Sequence, residues 1–471
     1  MIFDVAPQWK FDLTQYDDVW KILINVILLL TALLLGNMIR RVIPFLRKAF
    51  IPSALIGGLL LFLANIFSTK VFEFYLIDMR IMQIITYHAL AIGFIALSLK
   101  IVEKGKDKNG LKVFQNGFVT GATYMLQAVV GLLIGLFFVW AGNELFYDAG
   151  ILLPLGFGQG PGNALTWDNN FTADHGFLGQ GSVGLTIASL GFVVASIVGV
   201  IYINIFKRKG QIKDIERNTQ RDVSEFVDEK DIEDSESVDK LSIQIAFVAV
   251  SYAIGFLIMF FFAKLTDWTG VKLFNDVAWG FNFIWGIISA TLIKAVVKFF
   301  YKKKVVKRKY INNYQMDRIS GFAFDLMIIA GVAAIDIDVV SQYAWFIVAL
   351  AAAGTIVTVI YVRIMTKLCF KGFEHEAFLV NFGTLTGTAS NGVILLREVD
   401  PNYDTPASNV FIASQFPAMI AVAPLLLLLN MGAETYTGCL ITLGIFAALF
   451  VVYTTFLVLS TRRIKRKEKA E

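Results

Sequence analysis

Amide and hydroxyl side chains are concentrated at two glycine-rich interruptions of otherwise apolar stretches. The first reads FGQGPGNA at 157–164, and the second reads FGTLTGTASN at 382–391. Carbonyl and hydroxyl oxygens are the ligands that a hard cation takes, and free amides at a broken helix end attract a carboxylate. These residue types therefore predict a binding site for a cation and an organic anion. Its candidate residues are Gln159, Gly160, Gly162, Asn163, Thr166, Thr384, Thr386, Gly387, Thr388, Ser390 and Asn391.

A structural role is the alternative for these polar residues. The same side chains could cap broken helices or form hydrogen bonds between helices, with no ligand present. For a single threonine the sequence does not separate the two roles. Four hydroxyl groups and one amide fall within residues 384–391, however, and this density favours a ligand site.

Two polar residues inside predicted membrane spans extend the candidate site. Asp325 lies about two turns into its span, where an unpaired carboxylate costs roughly 2.5–3.5 kcal/mol, so a role in ion coupling or protonation is expected. The alternative is a position near the interface, with Arg318 or a nearby lysine as its partner. Gln127 could line a cavity or bridge two helices. The candidate sodium ligands are Asn163, Thr386, Thr388, Asn391 and Asp325.

The composition predicts a protein that crosses a membrane many times. Of the 471 residues, 56% are hydrophobic and only 17% are charged, which is more apolar surface than a soluble chain of this length could bury. The net charge of +5 lies mostly in short clusters between apolar runs, so it indicates topology rather than affinity for nucleic acid. With three histidines, two cysteines and no nucleotide-binding loop, the sequence does not indicate an enzyme or a bound cofactor.

Apolar windows of about 20 residues predict an all-α chain with about eleven transmembrane helices. They lie near residues 19–39, 53–68, 84–101, 113–140, 180–206, 241–265, 278–299, 319–340, 343–368, 409–430 and 437–459. Two further apolar stretches, 151–168 and 377–397, contain the glycine-rich interruptions. His88 falls near the outer end of its predicted span, where an interfacial position is expected.

Basic residues set the predicted orientation, because they are retained on the cytoplasmic side. The cluster at 40–48 follows the first span, so the N-terminus is predicted outside and the C-terminus in the cytoplasm. The other basic clusters also fall inside, provided that 151–168 and 377–397 do not cross the membrane. Each of these stretches is therefore predicted to be a re-entrant hairpin, the first entering from outside and the second from inside. Such backbone must be buried in protein or line a wet cavity.

An internal repeat relates the two halves of the chain. FGQGPGNA and FGTLTGTA share the pattern F-G-x-x-x-G-x-A, and HALAIGFIAL at 88–97 is similar to DLMIIAGVAA at 325–334. Four spans, a hairpin and one more span make up each half, and the halves run in opposite senses, as in secondary transporters. The predicted organisation is a first inverted repeat at 1–206, a charged cytoplasmic linker at 207–240, a second inverted repeat at 241–430, and an extra helix with a basic tail at 431–471.

This arrangement resembles the sodium/glutamate symporter family. The resemblance is carried by GFGQGPGNA at 156–164, FGTLTGTASNG at 382–392, IPSALIGGLL at 51–60 and LQAVVGLLIG at 126–135. It implies sodium-coupled symport of glutamate or a related carboxylate or amino acid, by alternating access, across the inner membrane of a bacterium. It further implies sodium as the coupling ion and a homodimeric assembly. Two alternatives stay open at this point: a proton-coupled carrier of another organic anion, and an ion channel with re-entrant pore loops.

Overall fold

The regular secondary structure in the described part of the chain consists of helices. The computed structural model describes residues 17–101, 110–177, 179–212, 238–270, 273–305, 310–400, 405–429, 431–433 and 435–467. We number its helices in chain order as α1 Asp17–Val42, α2 Pro44–Lys48, α3 Ser53–Phe72, α4 Met79–Leu99, α5 Gly110–Trp140, α6 Ala149–Gln159, α7 Pro161–His175, α8 Ser182–Arg208, α9 Val238–Thr269, α10 Leu273–Gly280, α11 Asn282–Lys302, α12 Asn313–Ala333, α13 Ile337–Gln342, α14 Ala344–Cys369, α15 Glu374–Thr386, α16 Ala389–Arg397, α17 Ala407–Ala413, α18 Gln415–Leu427 and α19 Tyr436–Lys467. The predicted all-α class is confirmed for these residues.

Nine helices within the described ranges are long and apolar enough to cross a membrane. They are α1, α3, α4, α5, α8, α9, α11, α14 and α19, and they match nine of the predicted spans. The predicted span 409–430 coincides with the pair α17 and α18, which is bent by 48° and is apolar enough for one span when the two helices are taken together. The predicted span 319–340 is wrong at its end, because α12 stops at Ala333. There the Asp336 carboxylate accepts a hydrogen bond from the Asp338 amide and starts the separate helix α13.

The first glycine-rich interruption separates α6 from α7 at Gly160. This residue has φ +83° and ψ −178°, a backbone conformation that is open in practice only to glycine. Pro161 follows as the first residue of α7, where its missing amide hydrogen costs no helical hydrogen bond. On the other side of the break, α6 lies directly on α5. A Cβ placed on Gly131 of α5 would be 2.1 Å from the Gly150 carbonyl oxygen, so only glycine allows this approach.

The second interruption separates α15 from α16 at Gly387 and Thr388. After the break, α16 packs back along α15, because a Cβ placed on Gly383 would lie 2.8 Å from Gly392 Cα. The first break therefore falls two residues earlier in the shared pattern than the second. Pro161 explains the difference, since a proline can begin a helix but cannot sit within one without removing a hydrogen bond.

The helices pack in two groups. In one group α4 and α12 pack against each other and against α3, α9 and α11. In the other, α5 packs against α14, α18 and α19, while α8 packs against α14 and α15. The two groups meet mainly where α7 and α8 pack on α4 and α12. Helix α7, which follows the first interruption, is thus at the contact between the groups.

Part of the sequence-based organisation lies outside the described residues. These parts are the N-terminal residues 1–16, the linker residues 213–237 and the tail residues 468–471. Both cysteines lie within the described helices, where Cys369 and Cys439 are buried and are not bonded to each other.

Candidate functional site

The tips of the two interrupted segments meet. A Cβ placed on Gly160 would lie 3.5 Å from Thr388 Cγ2, which is ordinary van der Waals contact. Helix α8 lies beside the same place, since a Cβ on Gly191 would be 2.2 Å from the Thr386 carbonyl oxygen. Two stretches more than 200 residues apart in the chain are therefore joined at their points of broken helix.

In the first segment, Asn163 has one polar atom without a protein partner. Its side chain is 1% exposed, and its Nδ2 donates to Gln159 Oε1 over 3.0 Å. Its Oδ1 has no hydrogen-bond partner among the described residues. Thr166 is also buried, and its hydroxyl donates to the Gly162 carbonyl oxygen one turn earlier. That bond leaves the Thr166 lone pairs free to accept.

In the second segment, the threonines differ in what they contact. Thr384 and Thr386 donate to carbonyl oxygens one turn earlier in α15, over 2.7 Å in each case. The hydroxyl of Thr388 lies 3.5 Å from Asn391 Oδ1, and Asn391 Nδ2 is buried without a partner among the described residues. Ser390 is exposed. The structure thus separates Ser390 from the buried members of the predicted cluster.

Gln127 ties the second segment to α5. Its Nε2 donates to the Leu385 carbonyl oxygen over 3.0 Å and to Thr358 Oγ1 over 2.8 Å. The glutamine therefore bridges helices, as one sequence-based alternative held. Its Oε1 is nevertheless buried without a partner within the described ranges, so the side chain also keeps an oxygen available for a ligand.

Among the predicted site residues that the structure describes, three buried polar atoms share this property. They are Gln127 Oε1, Asn163 Oδ1 and Asn391 Nδ2. Leaving a buried polar atom without a hydrogen bond costs about 1–3 kcal/mol, so such atoms indicate a bound partner that the chain does not supply. Two of the three are oxygens suited to a cation, and the third is an amide donor suited to a carboxylate. The backbone amides in the first turns of α7 and α16 add further donors.

Asp325 lies in a different environment. It is partly buried on α12 and interacts electrostatically with Arg40 in the last turn of α1. Arg318, the partner that the interfacial alternative named, instead donates to the Tyr314 hydroxyl over 2.8 Å. Helix α12 packs on α3 and α4 and touches the first segment through α7. Among the residues that the structure describes, no hydrogen bond or ion pair joins Asp325 to the second segment.

His88 also has a partner that the sequence did not indicate. Its Nδ1 forms a hydrogen bond with the Tyr252 hydroxyl of α9. This bond lies well inside α4, away from the outer end of the helix where an interfacial residue was expected. The histidine thus joins α4 to α9 within the first group of helices.

Two residues beside the interruptions were missed by the sequence analysis. Asp168 in α7 is fully buried, and its Oδ2 accepts a hydrogen bond from the Gly184 amide over 2.8 Å at the start of α8. Tyr124 of α5 faces Gly158, where a Cβ would lie 2.6 Å from the tyrosine hydroxyl oxygen. An acid at the end of an apolar stretch was a readable signal for Asp168. No comparable signal marked Tyr124, which stands in an ordinary apolar helix.

Comparison with known families adds one finding. The sequence profile of the sodium/glutamate symporter family matches residues 19–389, a range that includes both breaks and most of the chain. No curated protein sequence matches the chain.

Proposed function

Since the chain belongs to the sodium/glutamate symporter family, we propose that it couples the uptake of glutamate, or of a related carboxylate or amino acid, to sodium by alternating access. The observation that carries the proposal is the contact between two broken helices whose surroundings hold buried polar atoms without protein partners. Discontinuous helices that meet in this way form the ion and substrate sites of secondary transporters. No catalytic role is part of the proposal.

We extend the proposal to the architecture. Residues 1–206 and 241–430 would be inverted repeats, with re-entrant hairpins at 151–168 and 377–397. The rings of Phe146, just before α6, and Phe171, near the end of α7, lie 4.6 Å apart, which supports entry and return at one end. For the second hairpin, α16 packs back along α15, with Gly387 against Asn391 and Gly383 against Gly392, which supports the same. Alternating access would come from movement of the helices around the hairpins against the group that contains α4 and α12.

Substrate and ion would use different parts of the shared site. The amides at the start of α7 and α16, with Asn391 Nδ2, would bind the substrate carboxylate, because a helix N-terminus carries partial positive charge. The proposed sodium ligands of the shared site are Asn163, Thr386, Thr388 and Asn391, with Gln127, Gln159, Thr166 and Thr384 as further candidates. Asp325, which lies beside Arg40, is proposed as a separate residue for ion coupling. We propose a homodimer in the inner membrane of a bacterium as the functional form.

Asp325 gives the first test of coupling. We expect Asp325→Asn to abolish or uncouple ion-driven transport while the protein still inserts, because an intramembrane carboxylate is retained for function rather than stability. Uptake into proteoliposomes at varied sodium concentration and pH measures the effect. The double variant Arg40→Gln/Asp325→Asn is the control for a purely structural ion pair. Unchanged sodium and pH dependence in Asp325→Asn, or full recovery in the double variant, would exclude the coupling role.

Orientation gives a second test. We propose that residues 1–18 face outside and that the 207–240 linker and the 462–471 tail are cytoplasmic. A membrane-impermeant thiol reagent added to intact cells should then label Asn143→Cys, in the loop after α5, and leave Ser235→Cys unlabelled. The native Cys369 and Cys439 are buried and give a low background. Labelling of Ser235→Cys from outside would overturn this orientation.

Counterflow separates a carrier from a channel. Proteoliposomes loaded with unlabelled glutamate should take up labelled glutamate even though the total glutamate concentration is higher inside. The rate of uptake should saturate as the external glutamate concentration rises. A channel with re-entrant pore loops would instead give linear conductance without counterflow. Repeating the assay with other labelled organic acids identifies the preferred substrate. Counterflow that responds to a proton gradient and not to sodium would favour the proton-coupled alternative.

A further inference from the structure

Phe50 occupies a backbone position that normally requires glycine. Helix α2 ends in a motif in which the Phe50 amide donates to the Arg47 carbonyl oxygen and the Ile51 amide donates to the Leu46 carbonyl oxygen, both over 3.2 Å. The residue between these bonds must be left-handed, and Phe50 has φ +54°. Glycine is usual there because a Cβ crowds the backbone. A bulky aromatic residue held in this conformation indicates a use for its side chain.

The Phe50 side chain lines a narrow cleft between the two groups of helices. The cleft is formed by Phe50, by Ala195 and Ser196 of α8, and by Asn391, Ile394 and Leu395 of α16. Phe50 belongs to the connection between α1 and α3, whereas the other five residues belong to the group that carries the interrupted segments. The cleft leads to Asn391, whose buried Nδ2 has no partner among the described residues.

A second residue in the same backbone motif provides a contrast. Lys304 follows α11 with φ +56°, and the Lys304 and Val305 amides donate to the Tyr301 and Phe300 carbonyl oxygens. Its side chain is exposed. The motif by itself therefore does not place a side chain between helices. Phe50, by contrast, lines a cleft together with residues of α8 and α16.

Other residues close the opposite end of the interface between the two groups of helices. There, the Trp167 ring of α7 lies 5.2 Å from the Phe281 ring, and Gln83 Nε2 of α4 donates to the Gln180 carbonyl oxygen over 3.0 Å. The tips of the interrupted segments thus have protein on both sides. Phe50 stands at the end marked by the basic residues Arg40 and Arg47.

We propose that Phe50 is a gate that closes the path from this basic end of the protein to Asn391. The inference rests on the proposed site at the tips of the interrupted segments. In the closed form the Phe50 ring forms one wall of the cleft, which is then too narrow to admit water beside Asn391. Opening would withdraw the ring as α8 and α16 move relative to α2, and the path to the site would then admit water, ion and substrate.

Thiol accessibility tests the gate directly. Ser196→Cys places a small reporter in the cleft, and the purified full chain in lipid nanodiscs exposes both faces to a hydrophilic thiol reagent. Adding Phe50→Gly removes the ring and also relieves the left-handed backbone, so this variant is expected to fold. We expect the Phe50→Gly/Ser196→Cys protein to be labelled about tenfold faster than Ser196→Cys alone, because the ring no longer blocks access to the cysteine in the closed form. Phe45→Ala is the matched control, since Phe45 lies in the short helix α2 that precedes Phe50 and is 63% exposed.

The outcomes separate the gate from the transport proposal. Faster labelling in Phe50→Gly, with no change in Phe45→Ala, supports the gate whatever the substrate proves to be. An equal rate with and without the Phe50 ring overturns it, and so does an equal increase in Phe45→Ala. If the unmodified protein fails to take up glutamate while Phe50→Gly is still labelled faster, the proposed substrate is rejected and the gate is retained.

Discussion

Gly387→Val should abolish transport. A Cβ at this position would lie 2.5 Å from Asn391 Nδ2 and 3.1 Å from the Gly383 carbonyl oxygen. The added side chain would occupy the space of the Asn391 amide and separate α15 from α16 at the break. Because the second tip touches Gly160 through Thr388, the first segment would also lose its contact. We expect initial uptake of labelled glutamate in proteoliposomes to fall to background.

A second glycine-to-valine variant controls for general damage. Gly444 lies in α19, and a Cβ there would meet nothing within 4 Å. Gly444→Val should insert and transport like the unmodified protein, while Gly387→Val should insert, elute as a single species and fail to transport. Measurable sodium-driven uptake by Gly387→Val would show that the second break is not part of the transport site.

Asn163→Ala and Thr388→Ala should each weaken binding of sodium or substrate. The two residues hold the same place in the F-G-x-x-x-G-x-A pattern, and the two tips touch. Removing one ligand or hydrogen bond from a closed site costs about 1–3 kcal/mol, which corresponds to roughly a 5-fold to 150-fold loss of affinity. Uptake measured against both glutamate and sodium concentration shows which ligand each residue serves.

Matched controls keep this test specific. Asn169 lies in the same helix as Asn163, with its amide 3.5 Å from Gln83 Oε1. Thr355 lies in α14, and its hydroxyl donates to the Ala351 carbonyl oxygen one turn earlier. Asn169→Ala and Thr355→Ala should leave both concentration dependences unchanged. Kinetics like those of the unmodified protein in both Asn163→Ala and Thr388→Ala would reduce the repeat to an architectural feature.

Hydropathy was sufficient to predict most of the helices, because each apolar run must satisfy its backbone polar groups internally in a membrane. Helix ends that depend on a local capping residue were harder to predict. The predicted span 319–340 ran past Ala333 because the pattern of apolar residues continues, and only the Asp336 cap shows where the chain starts a new helix. The first interruption was located, but the return helix α7 continues to His175, beyond the predicted end at 168.

Contacts between residues far apart in the chain also could not be predicted from the sequence. The sequence indicated that Asp325 needs a partner, yet Arg40 lies far away in the chain and no local pattern connects the two. The exposed position of Ser390 likewise depends on how α16 packs on α15. By contrast, the shared glycine pattern relates the two segments whose tips touch. The roles of the site residues stay predictions.

Sodium-driven uptake is the most direct test of the central claim. The full chain is reconstituted in proteoliposomes, and labelled glutamate uptake is followed with an inward sodium gradient, without a gradient, and after a sodium ionophore is added. We predict saturable accumulation that requires the sodium gradient and collapses with the ionophore. Uptake that proceeds equally without sodium, or accumulation driven only by a proton gradient, would contradict the account.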